Sequence, residues 1–231
     1  MLIPEENIER RWITAGNSGI WDTLSTYTFV EYSRVPALPL THSLFDWLSE
    51  IPARDYDGST LDSPDNNIAS YGSIESELQA LGFSLPEEIE ILMRQPEIQA
   101  QIPTCTGCYL EFADTVTPLP GYPGNYVVRF MNDSQCCVMW YLLFQRSRPT
   151  RVLVSNYFIE QDIFEAMHYL AEEDVLLSYD DALKSIYICA QSPGEFIFRF
   201  CLENTIWFAT HGKLPLSPLE REYLDHAKKS A

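Results

Sequence analysis

The sequence predicts an α+β protein, and three observations carry that expectation. Apolar runs of strand length fall together in the second half of the chain, at 125–131, 136–144 and 151–155, separated by short polar turns. Serine-led capping boxes open helices on both sides of them: Ser84-Leu85-Pro86-Glu87, Ser192-Pro193-Gly194-Glu195 and Ser217-Pro218-Leu219-Glu220. A hydrophobic fraction of 46% over 231 residues, with 5 Trp, 13 Tyr and 12 Phe, supplies enough apolar surface for one large aromatic core.

Taken in order, residues 1–40 carry scattered apolar positions of weak periodicity, among them Ile8, Trp12, Ile20, Trp21 and Phe29. Ser43 to Ile51 reads as a short amphipathic helix capped by Ser43 and stopped by Pro52. Residues 53–72, rich in Asp, Ser, Asn, Gly and Pro, read as a long solvated acidic loop. They set off a 1–72 N-terminal extension from a 73–231 body.

The body opens with a helix from about Ile74 to Leu81, closed by Gly82, the residue that best tolerates a left-handed cap. A second helix follows Pro86, with Ile89, Leu92 and Met93 on one side, and Pro96 ends or kinks it. Asn125 to Met131, the turn Asn132–Gln135 and Cys136 to Phe144 form the clearest hairpin. The second of these strands is apolar on both faces, which places it centrally. Arg151 to Ser155 and Ser185 to Ala190 give further strands, with a helix expected over 158–171. Phe196, Phe198 and Phe200 alternate like a strand, but the Ser192 box and the length of the run favour a helix to Phe208.

The charge balance is the strongest functional signal. Thirty-three Asp and Glu against 15 Lys and Arg leave a formal net charge of −18. Such a surface attracts basic partners and repels phosphate backbones and anionic headgroups, so nucleic acid and membrane are excluded as partners. No basic n-region precedes an apolar h-region, and the longest apolar run, 136–144, is too short for a membrane helix, so the expected location is the cytoplasm with reduced thiols.

Candidate chemistry is sparse. Cys105-Thr106-Gly107-Cys108 is the one C-x-x-C; structural thiols are its favoured reading, with zinc and redox roles as alternatives. Cys136 and Cys137, adjacent on an expected strand, would face opposite ways and so would not share a metal. His42, His168, His211 and His226 lie far apart with no nucleophile motif beside them. The acidic groups Glu87-Glu88, Glu172-Glu173-Asp174 and Asp180-Asp181 read as solvated charge, some of it available to a partner. Tyr109 to Asp114 offers an aromatic ringed by acids, the pattern of an interface hot spot.

Leu81-Gly82-Phe83-Ser84-Leu85-Pro86-Glu87-Glu88 resembles the opening G-x-x-L-P helix pair of the SUKH superfamily, which holds bacterial immunity proteins and cell-wall-assembly regulators. The hairpin Tyr126 to Gln135, the strand with Trp140-Tyr141 and the closing segment Ser192 to Phe208 are similar to later elements of its bacterial members. The resemblance covers roughly residues 73–230. It implies a mostly antiparallel sheet with helices packed against it, and a non-enzymatic binding module without metal or cofactor. Its partner would be a protein, basic in character, such as a cognate nuclease toxin. The contacts expected for that partner are Glu87, Glu88, Tyr109, Asp114, Asp133, Glu172, Glu173 and Asp174. A regulatory or scaffold protein without a toxin partner is the first alternative, and a carboxylate-dependent hydrolase the second.

Overall fold

The computed structural model describes residues 8–14, 27–38, 44–63, 67–160 and 183–230. The chain is α+β, with helices packed on an antiparallel sheet. That sheet has six strands: β3 (Tyr109–Leu110), β4 (Thr117–Pro118), β5 (Tyr126–Asn132), β6 (Met139–Phe144), β7 (Arg151–Ser155) and β8 (Tyr187–Ala190). Its order is β3-β5-β6-β7-β8, with β4 also on β5, and every pairing is antiparallel.

Strand β6 is the centre, as its composition predicts. Trp140, Leu142 and Phe144 enter the main core, while Met139, Tyr141 and Leu143 enter a second cluster on the opposite face with Leu119, Tyr122, Leu153 and Ile188. The period-2 alternation of a strand thus divides one apolar run between two covered faces. A register shift between Arg129 and Met131 puts both Phe130 and Met131 in the main core, which an unbroken β5 would separate.

Five helices complete the described chain: α1 (Asn67–Leu81), α2 (Glu87–Arg94), α3 (Pro96–Gln99), α4 (Pro193–His211) and α5 (Pro218–Ser230). Helix α4 is the hub. Ser192 caps it by accepting from the Glu195 amide at 3.1 Å. Phe196 lies 5.7–5.9 Å from the rings of Trp12, Phe130, Trp140 and Phe200. Burying side chains of this size contributes roughly 1.5–3 kcal/mol each, which overrides the strand-like phenylalanine alternation. Helix α5 has a reciprocal capping box: Glu220 N donates to Ser217 Oγ at 3.2 Å and Ser217 N to Glu220 Oε2 at 2.6 Å. Helix α1 ends as Gly82 predicts. Gly82 adopts φ +83°, and Phe83 N donates to Leu78 O while Gly82 N donates to Gln79 O.

Several expectations fail. The boundary at residue 72 does not correspond to a break in the core. A two-stranded hairpin, β1 (Arg11–Ile13) and β2 (Phe29–Glu31), joins the outer edge of β8, where Ile188 N donates to Glu9 O at 3.0 Å. Trp12, Val30, Trp47, Ile51 and Leu61 share the main core with α4. The stretch 53–72 is not a solvated loop throughout: Tyr56 and Leu61 are buried, Leu61 N donates to Ile102 O, and α1 already runs from Asn67. Few but large apolar residues anchor it, and a composition average hides them.

The Ser84 box is not used. Leu85 is buried, Pro86 takes an extended ψ of 142°, and α2 starts only at Glu87 without a side-chain cap. The segment expected as a helix near Ser43 is a 3-10 turn, Asp46–Glu50. Cys136 and Cys137 lie in the β5–β6 turn, with β6 beginning at Met139, so strand alternation does not govern them. The helix expected over 158–171 falls mostly outside the described residues, and Phe158 to Glu160 are not helical.

Candidate partner-docking face

Helices α1, α2 and α3 build an acidic outer surface because their apolar residues are used on one side. Tyr71, Ile74 and Leu78 of α1 and Ile89, Leu92 and Met93 of α2 are buried at helical spacing. That leaves Glu87 and Glu97 exposed and Glu75 and Glu90 half-buried on the other side. Glu87, Glu88 and Glu90 in the first turn of α2 also suit the positive end of its dipole, and Arg94 sits in the last turn. The Arg94 guanidinium lies over the Tyr71 ring at 4.7 Å.

Three further acids lie on or beside these helices. Glu77 accepts from Val116 N at 2.9 Å, and Phe112 packs on Tyr71 at 5.9 Å. Those two ties run the 112–116 segment along α1, and Asp114, between them, is exposed. Glu88 is half-buried, and a β-carbon at Gly194 would stand 3.2 Å from its Oε1, so its carboxylate rests against the first turn of α4. Helix dipoles make that a favourable place for a negative charge. Glu87 and Asp114 are therefore the exposed acids of the expected set, and Glu88 is shared with the fold.

The rest of the expected set divides. Tyr109 lies half-buried on β3 opposite Asn132, with its hydroxyl 3.9 Å from Cys136 Sγ, and burial raises its pKa. Asp133 is a correction: it is 1% exposed and serves the hairpin turn. Its carboxylate accepts from Cys137 N at 2.6 Å, Val138 N at 3.0 Å and Gln135 N at 3.3 Å. A short acid in a turn satisfies amides that would otherwise be stranded, so the Asp133 carboxylate is committed to the fold and offers almost no surface. Glu172, Glu173 and Asp174 lie outside the described residues.

Composition also conceals that many charges are internal. Arg199 of α4 is 2% exposed. It donates to Pro36 O at 2.8 Å, Tyr223 Oη at 3.1 Å and Glu195 Oε1 at 3.3 Å, and lies over the Trp12 ring at 5.4 Å. Tyr223 donates to Glu203 Oε1 at 2.7 Å, and Tyr32 donates to Glu195. Burial works against the Arg199 charge, but Tyr223, Tyr32 and Glu203 outweigh it and raise its pKa. Burial likewise raises the Tyr32 and Tyr223 phenols, which keeps both as donors. Arg54 pairs with Glu220 in a second buried link, and the partly buried Arg129 pairs with Glu160 and with the more exposed Glu111. One sequence signal was available: Glu195, Arg199 and Glu203 recur every four residues on an otherwise apolar helix.

These carboxylates are held by arginine and tyrosine, an arrangement that fixes elements rather than moving protons. Cys105 and Cys108 sit in the loop before β3. Cys108 Sγ lies 3.3 Å from Thr106 Oγ1, and Tyr27 donates to that same oxygen at 2.6 Å. Among the described residues no group of three or more His, Cys, Asp or Glu is placed to hold a metal ion, and no helix is long and apolar enough to cross a membrane. Comparison of the chain with protein-family models, curated proteins and solved structures finds no match.

Proposed function

We propose that this chain is a non-enzymatic protein-binding module that docks a basic surface of a partner through its α1–α3 face. The observation that supports the reading is that face itself. Glu75, Glu87, Glu90, Glu97 and Asp114 stand outward around one arginine, on helices whose opposite side is anchored in the core. Complementary charge of this kind speeds encounter and sets orientation more than it adds affinity. In its finer form the proposal is a SUKH-type immunity protein whose partner is a basic toxin; the loose motifs from Leu81 to Trp207 are its support. A regulatory protein using the same face is the alternative, and a neighbouring toxin gene favours the first over the second.

The test is capture from native extract at low and high salt, with the wild type beside Glu87→Lys/Glu90→Lys/Glu97→Lys. A partner lost by the triple variant and associating more slowly at high salt supports the reading. A partner held equally by both proteins at every salt concentration overturns it.

A further inference from the structure

Arg94 is the odd charge on the α1–α3 face. Spacing sets it among acids: Glu90 lies one turn back on α2, Glu97 stands in the first turn of α3, and Glu75 lies one turn along α1 from Tyr71. A glutamate four residues before a basic residue is the favoured order for a helical ion pair. Among the described residues, however, Arg94 is exposed and forms an ion pair with none of these acids. Its guanidinium lies instead over the Tyr71 ring, 4.7 Å from the centroid.

The platform under Arg94 is fixed. Tyr71 is 8% exposed and packs on Phe112 with ring centroids 5.9 Å apart. The ring comes from α1 and the arginine from α2, so the contact crosses the seam between the two helices. An arginine held by the face of its guanidinium keeps the planar fork in one orientation and leaves the N–H edges for other acceptors. Arginines are enriched at interface hot spots, and a pre-oriented one loses less freedom when a partner docks.

We propose that Arg94 is the specificity-determining residue of this face, and that the partner's basic surface is broken by one carboxylate that takes the Arg94 fork in two parallel N–H···O bonds. The inference rests on the docking reading above and deepens it. A uniformly basic surface sets a cation against Arg94 and is penalised there. A basic surface carrying a carboxylate at that point gains a bidentate, charge-assisted pair. The acids thus speed encounter, and the arginine selects among the basic surfaces they attract.

The experiment measures association and dissociation rates of the protein that the wild-type chain retains from native extract, against wild type, Arg94→Ala, Arg94→Lys and Glu87→Gln. Circular dichroism confirms that each variant is folded. Arg94→Ala makes the face one charge more negative, so steering alone requires binding that is equal or tighter. The proposal requires the opposite sign: binding weakened about tenfold or more, the scale of a hydrogen bond to a charged group, and carried by faster dissociation. Arg94→Lys keeps the charge without the fork and should not restore the wild-type affinity. Glu87→Gln should slow association and leave dissociation nearly unchanged. Equal or tighter binding by Arg94→Ala, or full recovery with Arg94→Lys, overturns the inference and leaves the docking reading standing. A wild-type chain that retains no protein overturns both.

Discussion

Glu220→Gln isolates the charge of a buried ion pair that joins the N-terminal region to the last helix. Glu220 is fully buried and pairs with Arg54, which also donates to Pro215 O at 3.0 Å. Glutamine keeps the shape and an oxygen for the α5 capping box, so what is lost is the anion beside the guanidinium. Breaking a buried pair on one side costs about 3–5 kcal/mol, and the remaining Pro215 bond places this case near about 3. For a chain of this length each kcal/mol shifts Tm by about 2–4 °C, so the variant should melt about 6–12 °C lower. Burial alone would raise the Glu220 pKa, but Arg54 and the Ser217 amide outweigh it and leave it below its ordinary value. A depressed carboxylate pKa gives stability that is complete above the ordinary value of 4.5 and is lost as pH falls through the folded one. The gap between wild type and variant should therefore be full at neutral pH and shrink through the acid range. Scanning calorimetry across pH measures both, with Arg54→Met closing a double-mutant cycle. A neutral-pH gap under about 1 kcal/mol, within the range of exposed pairs, or a gap constant with pH would refute the reasoning.

Trp12→Ala should cost about 3–5 kcal/mol in denaturant unfolding, as for any large core aromatic, and the transition should stay single. A near-neutral effect would mean that the N-terminal region is an appendage after all. Asp133→Ala strands three turn amides and should cost at least about 1–3 kcal/mol while leaving partner affinity unchanged, read by denaturation and by capture. Limited alkylation followed by mass spectrometry should modify Cys136 and Cys137 first, since both are exposed. Cys105 and Cys201 should lag because burial pushes both thiols up to about 12.

Local signals explain what was legible in the sequence. The β5–β6 hairpin, the central place of β6 and the caps at Ser192 and Ser217 each depend on a few neighbouring residues, and each holds. The N-terminal region failed because its information is long-range. Strands of three residues, Arg11–Ile13 and Phe29–Glu31, carry no readable period, and Trp12 gains its meaning only beside Phe196 and Arg199. Of the candidate site, Glu87 and Asp114 were legible as exposed acids. Asp133 was misread because an acid in a turn looks the same whether it faces solvent or caps its own backbone. The packing of Phe83 on Phe144 was not legible, since their rings, 5.7 Å apart, meet only through the fold.

The buried pairs also bear on why so acidic a chain closes on itself in one way. Burying an ion pair gains little over burying an apolar pair of the same shape, because desolvation consumes most of the attraction. Its effect lies in what it penalises: an arrangement that parts Arg54 from Glu220 leaves charge stranded in the core. The partners are remote, with Arg54 and Glu220 166 residues apart and Tyr32 and Glu195 163 apart. Arg199 binds Pro36 O across the same span of 163 residues. Each of these ties lands on α4 or α5 and starts in the N-terminal region, whose apolar pattern alone specifies its place poorly. Internal charge thus helps fix where that region packs, while Glu87 and Glu97, having no such task, stay at the surface.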